Sequence, residues 1–148
     1  MQKSNYPTTF YRVSAKAIIR DQADKVLVVR EKGSQWSLPG GGLDHNEPIE
    51  NCLKRELYEE TLITSPFDAR VLGVDNDMIF SYAKQAWVLW IVYELTFDEF
   101  PAYGVGEDAD EVAFIDPTTF KDSIYRSEQL VYKWCRYLRI RYIDELHR

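Results

Sequence analysis

Three glutamates, Glu56, Glu59 and Glu60, crowd the last turn or so of a segment that reads as a helix, "PIENCLKRELYEETLI". Negative charge at that end opposes the helix macrodipole, and side chains three and four residues apart are neighbours that repel. A sequence that accepts this cost implies a compensating cation. Clustered carboxylate oxygens suit Mg²⁺ or Mn²⁺, hard ions that keep some of their waters and engage substrate phosphates. The plainer alternative is a solvated acidic face, with Arg55 paired to Glu59 one turn on.

Helical geometry weighs between the two. Pro48 suits a first helical position, so the helix is expected from about Pro48 to Thr61. At 100° per residue Ile49, Cys52 and Leu53 share one side, with Leu57 at its edge, while Asn51, Lys54 and Tyr58 lie opposite. Continuing the apolar stripe leads to Glu56, Glu59 and Glu60. Ionised carboxylates buried without partners would cost several kcal/mol each, so this stripe should end at a cleft that holds positive charge. Ahead of the helix, "SLPGGG" places Gly40, Gly41 and Gly42 where backbone can approach a ligand closely.

The spacing of these residues resembles the Nudix box, GX5EX7REUXEEXGU, in which U is a bulky aliphatic residue. Gly41 is followed after five residues by Glu47 and after seven more by Arg55, Glu56, Leu57, Tyr58, Glu59, Glu60, Thr61, Leu62 and Ile63. The one departure is Leu62, where the family has glycine. That position usually follows the helix in left-handed geometry, which leucine adopts at a cost of about 1 kcal/mol or more.

The resemblance implies a Nudix-like α/β/α sandwich and a metal-dependent hydrolase that splits the diphosphate of a nucleoside diphosphate linked to another group. It implies Mg²⁺ or Mn²⁺ as cofactor, with Glu56, Glu59, Glu60 and the Gly40 carbonyl as ligands. Arg55 is implied as the orienting residue, and Glu47 as its structural partner. Either Glu56 or a carboxylate from the later "YGVGEDADEVAF" segment would act as base, with Glu107 the choice there. Arg30 and Lys32, at the end of the "VLVVREK" run, are expected to meet phosphates, with plain surface charge as the alternative, and Gly41 is expected to contact substrate. The rival expectation, which Leu62 permits, is a Nudix-like module that binds a nucleotide without turnover.

Positioning such a site requires a sheet. "FYRVSAKAIIR" and "KVLVVREKG" are β-rich and separated by the turn-like "DQAD", so they are expected to form a hairpin. A short strand is expected at "WSL", then strands at "ARVLGVDNDMIFSY", "QAWVLWIVYELTF" and "EVAFID". Leu130, Val131, Trp134, Leu138 and Tyr142 recur at helical spacing and predict a closing amphipathic helix over "SEQLVYKWCRYLRIRYIDEL". The pattern predicts one α+β domain over residues 1–148, built on a mixed sheet. Trp36, Tyr82, Trp87 and Trp90 are read as core aromatics, with base stacking as the alternative.

Composition narrows the partners. With 24 acidic against 18 basic residues and a net charge of −6, an extended nucleic acid is not the expected ligand. Cys52 and Cys135 lie far apart with no C-x-x-C spacing, and with only His45 and His147 beside them no structural zinc site is expected. No apolar run reaches the length of a membrane span, which predicts a cytoplasmic protein with a small nucleotide-type substrate; a homodimer is compatible with these features.

Overall fold

The computed structural model describes residues 10–31, 33–82 and 84–146, with Met78 and residues 137–146 described by backbone alone. The elements run β1 (Tyr11–Ile18), β2 (Val26–Arg30), β3 (Gly40–Gly42), α1 (Ile49–Thr61), β4 (Asp68–Ser81), β5 (Ala86–Thr96), β6 (Glu111–Ile115), a 3₁₀ turn (Pro117–Phe120) and α2 (Arg126–Leu146). A four-stranded mixed sheet has the order β3-β1-β5-β4, and β2 pairs with β6 in a second sheet.

In β1 alternate residues are packed from opposite sides. Ala15, Ala17 and Ile19 join Cys52, Leu53 and Leu57 of α1, whereas Ile18 joins Trp90, Val92, Leu130, Val131 and Cys135 on the side of α2. The period-two alternation of a strand thus gives each helix its own core, and the molecule is an α/β/α sandwich. Full burial of a side chain such as Leu53 or Leu57 stabilises by about 1.5–3 kcal/mol. On the α2 side, Gly73 leaves the room that Trp134 occupies, and the Trp134 Nε1 donates to Asp75 at 2.9 Å. Burial pushes the Asp75 carboxyl up, but Lys133, the Asp77 amide and Trp134 together bring it below its usual range.

Several expectations need correction. β1 and β2 do not form a hairpin ladder: beyond an Arg20–Val26 bridge and the Leu27 N–H bond to Ile19 O, they part into different sheets. The reason is that both edges of β1 are taken, one by antiparallel β3 and the other by parallel β5. The strand expected at "WSL" is only a bridge from Ser37 to Val29, and the glycines themselves form β3. Pro48 is the residue before the helix rather than its first member. In α2, Leu130, Val131 and Trp134 face the core as their spacing predicts, while the side chains of Leu138 and Tyr142 lie outside the described residues. Trp90 is core, yet Tyr82 and Trp87 are exposed. Among the described residues no helix is long and apolar enough to cross a membrane.

Candidate active site

Register brings the glycines to the acidic helix. Gly40, Gly41 and Gly42 pair with Lys16, Ala15 and Ser14, which lays β3 along the outer edge of the sheet beside α1. Gly40 has φ +128°, and a Cβ there would collide with the Ala15 carbonyl. A Cβ on Gly41 would lie 2.6 Å from both carboxylate oxygens of Glu56. The absence of that one carbon is what lets the carboxylate rest on the strand.

Arg55 organises the acids. Its Nε and Nη2 donate to the two Glu47 oxygens at 2.8 and 2.9 Å, a bidentate pair, and Nη2 also donates to Gly42 O at 3.1 Å. Its Nη1 donates to Glu56 Oε1 at 2.9 Å and to Glu59 Oε2 at 3.4 Å. The hydrogen bonds from Arg55 hold the Glu47 carboxyl down at about 2. Burial raises the Glu56 carboxyl, against the pull of Arg55 and Lys16.

Glu60 is the most enclosed of the three, only 3% exposed. Its Oε1 accepts from Gly40 N at 2.7 Å. Burial pushes this carboxyl up to about 8, although Lys16 and the Gly40 N–H oppose the shift. Lys16 Nζ donates to Leu38 O at 3.2 Å and to Gly40 O at 3.3 Å.

The C-terminal end of α1 is sealed by a distant loop. Gly104 N, Gly106 N and Asp108 N donate to the carbonyls of Thr61, Glu60 and Glu59, each at 2.9 Å. These carbonyls would otherwise be orphans of the helix end. Three N–H groups also place positive partial charge where the macrodipole is negative, which lowers the cost of stationing Glu59 and Glu60 there. Leu62 follows with φ 60°, the left-handed geometry expected of the family glycine. Its side chain is 44% exposed. Leu62→Gly is therefore expected to raise the melting temperature, by up to about 1 kcal/mol of stability. A loss of several degrees in a thermal melt would show instead that the Leu62 contact with the loop outweighs the strain.

Beside Glu56 opens a cleft of about 290 Å³, lined by Arg12, Ser14, Gly42, Asp44, Arg55, Glu56, Ser81, Lys84 and Val88. Arg12 Nη1 donates to Leu43 O at 2.8 Å, and its Nη2 lies 3.8 Å from Asp44. Arg12 of β1 and Lys84 of the turn between β4 and β5 give this cleft a cationic wall. The sequence reading assigned phosphate contact to other residues. Arg30 is not part of this wall: its guanidinium pairs with Glu111 across β2 and β6 and lies over the Trp36 ring. Lys32 lies outside the described residues. Glu107 follows Gly106 in the sealing loop and is exposed, with no bond to the three acids of α1 among the described contacts. Arg12, Ser14 and Lys16 were missed, yet alternation carries a signal for them: three polar residues at every second position of an otherwise apolar strand.

Among the described residues no three acidic, histidine or cysteine side chains converge on one point. Glu56 and Glu59 turn to Arg55, and Glu60 turns to the Gly40 amide. The donor set still fits a hard divalent cation. It consists of carboxylate oxygens and the Gly40 carbonyl, the glycine cradle leaves space for Glu56, and the Lys16 ammonium already stands against that carbonyl as a cation.

Comparison with known proteins agrees with this geometry. The family model described as NUDIX domain matches residues 10–135. An RNA pyrophosphohydrolase from Saccharophagus degradans is 41% identical over 66 residues, which is 43% of this chain and 38% of that protein. An ADPR responsive transcriptional repressor NtrR from Acinetobacter baylyi is 32% identical over 82 residues, 51% of this chain and 33% of that protein. The match thus spans between 33% and 38% of the length of these curated relatives. Among solved structures, a MutT protein from Methanosarcina mazei Go1 superposes with a TM-score of 0.70 at 19% identity, covering 90% of this chain and 99% of that one. The NUDIX domain of Shewanella oneidensis NrtR, solved with ADP ribose, gives 0.67 at 18% identity, covering 92% and 94%. At such identities these structures speak for the fold alone.

Proposed function

The chain belongs to the NUDIX family, and on that premise we propose that it is a metal-dependent pyrophosphohydrolase cleaving the diphosphate of a nucleoside diphosphate linked to another group. One observation carries the reading: Glu56 and Glu59 are gathered on a single Arg55 nitrogen beside buried Glu60, at the mouth of a cationic cleft. Self-repelling acids kept at a helix end, each bonded to the site's own scaffold, have a use in holding a divalent cation.

Glu56, Glu59, Glu60 and the Gly40 carbonyl would hold Mg²⁺ or Mn²⁺. Such an ion supplies charge neutralisation at the phosphates and a lowered pKa for bound water. Arg55 is a positioning residue: locked by Glu47, it holds Glu56 and Glu59 together through its Nη1. Glu56, raised by its burial, is suited to accept a proton from the attacking water. Glu107 is the second candidate, because its loop is bonded to the end of α1 that carries Glu59 and Glu60. Arg12 and Lys84 line the cleft and are assigned to the phosphates, Arg30 being committed to Glu111, and Gly41 makes room for the Glu56 carboxylate.

Arg12→Ala is expected to raise KM about tenfold with a smaller change in kcat, since it removes a charge that binds substrate throughout the reaction. Steady-state kinetics check this. An unchanged KM would remove Arg12 from the binding wall.

The activity itself is tested by product release from nucleoside triphosphates, nucleotide sugars, dinucleoside polyphosphates, ADP-ribose, NADH and 5′-triphosphate RNA, with Mg²⁺ or Mn²⁺ and with EDTA. Metal-dependent hydrolysis of any of these supports the proposal. Binding of one of them without turnover would favour the second reading, a nucleotide-binding module, which the departure at Leu62 allows.

A further inference from the structure

Lys16 sits in the middle of β1, flanked by β3 and β5, where its register partners are Gly40 and Val92. Two of its three ammonium donors go to Leu38 O and Gly40 O. Its Nζ also lies 5.1 Å from the centroid of the Trp90 ring, and Trp90 is buried. Lys16 is half-buried, and its ammonium is held among two carbonyls and an aromatic face. Its charge also acts on both Glu56 and Glu60, favouring their ionised forms.

The Gly40 carbonyl that Lys16 occupies is one of the oxygens assigned above to the divalent cation. Positive charges a few ångströms apart in a partly buried site repel strongly, because little water screens them. We propose that Lys16 is a built-in counter-cation that competes with the divalent cation for the Gly40 carbonyl and for the charge of Glu56 and Glu60. It keeps the acidic site balanced in the metal-free protein and so sets a ceiling on metal affinity. A lysine stem is long and flexible, so Nζ can leave Gly40 O without a backbone change.

This inference rests on the proposed metal role of Glu56, Glu59 and Glu60.

The test is a Mg²⁺ titration of melting temperature, without substrate, for the wild type, Lys16→Met, Lys16→Gln and Glu60→Gln. Lys16→Met is expected to melt lower than wild type in EDTA and to reach its Mg²⁺-induced shift at about tenfold lower Mg²⁺. Lys16→Gln keeps donors for the carbonyls but has no charge, and is expected to behave in the same way toward Mg²⁺; it decides the question if the methionine variant does not fold. Wild type responding to Mg²⁺ through Glu60, with both lysine variants needing as much Mg²⁺ or more, overturns the role of Lys16 alone. A wild type that does not respond to Mg²⁺ at all overturns the metal assignment, and this inference with it.

Discussion

Glu60→Gln is expected to lower turnover about a hundredfold or more and, at the same time, to make the metal-free protein more stable at alkaline pH. The first effect follows from the proposed role, since glutamine keeps the shape of the side chain but removes the charge that would bind the cation. The second follows from burial. Glu60 is 3% exposed and its carboxyl is pushed up to about 8 from a reference value of 4.5. Between those pH values the folded state holds a proton that the unfolded state has lost, so stability falls as pH rises through the window. The penalty is complete above pH 8, and it is absent below about 4.5. Glutamine cannot ionise, and its amide oxygen can still accept from Gly40 N.

The stability gap between variant and wild type should therefore open from pH 5 to pH 9 by about 4 kcal/mol, or roughly 8–15 °C in melting temperature. Melting curves in EDTA at pH 5, 7 and 9, paired with an activity assay, check both arms. Undiminished hydrolysis by Glu60→Gln would sink the metal assignment. A variant less stable than wild type at every pH would show that the carboxyl is not strained by its burial. The price of this site is thus paid in stability, and its location is the acidic end of α1.

Gly106→Ala is the second change of large expected effect, although Gly106 lies far along the chain from the acidic motif. A Cβ on Gly106 would sit 2.7 Å from Glu59 C and 2.9 Å from Glu60 C, and closer still to the Glu59 carbonyl oxygen. All of these are backbone atoms of α1, so no side chain can move aside. The loop must lift, and the bonds from Gly104, Gly106 and Asp108 to the helix end are strained or lost together. At about 1 kcal/mol for each bond, the expected loss is about 3 kcal/mol, or roughly 10 °C in melting temperature. Activity should fall as well, because Glu59 and Glu60 lose the partners that steady the last turn.

Gly104→Ala is the control for this prediction. There the new Cβ would meet only Leu62 Cδ1, at 3.3 Å, the end of a flexible side chain. A small effect at 104 beside a large one at 106 would identify the backbone contact as the cause. Equal, small effects at both positions would show that the loop does not brace the helix.

That Glu56, Glu59 and Glu60 continue one stripe was legible because a helix turns 100° per residue wherever it occurs. Knowing that Cys52 and Leu53 face inward was enough to place Glu60 at the buried end of the same stripe, and the structure has it there. The pairing of Arg55 with Glu47 and the left-handed geometry at Leu62 were expected from the resemblance to the Nudix box, and both are present. The two-layer covering of a mixed sheet could also be read, since alternating and three-to-four-residue patterns are properties of short segments.

Strand partners and register are different in kind. They arise between segments far apart in the chain, and a strand looks much the same whichever neighbour it takes. "VLVVREK" and "YRVSAK" are both apolar runs that carry basic residues. Nothing local says that the first pairs with β6, committing Arg30 to Glu111, while the second lies between β3 and β5 and brings Arg12 and Lys16 to the acids. The sealing of α1 by Gly106, more than forty residues after Glu60, is of the same kind. By itself the sequence determined which residues of one helix share a face and the chemistry they suit. Only the tertiary structure decided which distant cations and amides meet that face, because long-range pairing depends on the packing of the whole chain and not on any segment's own periodicity.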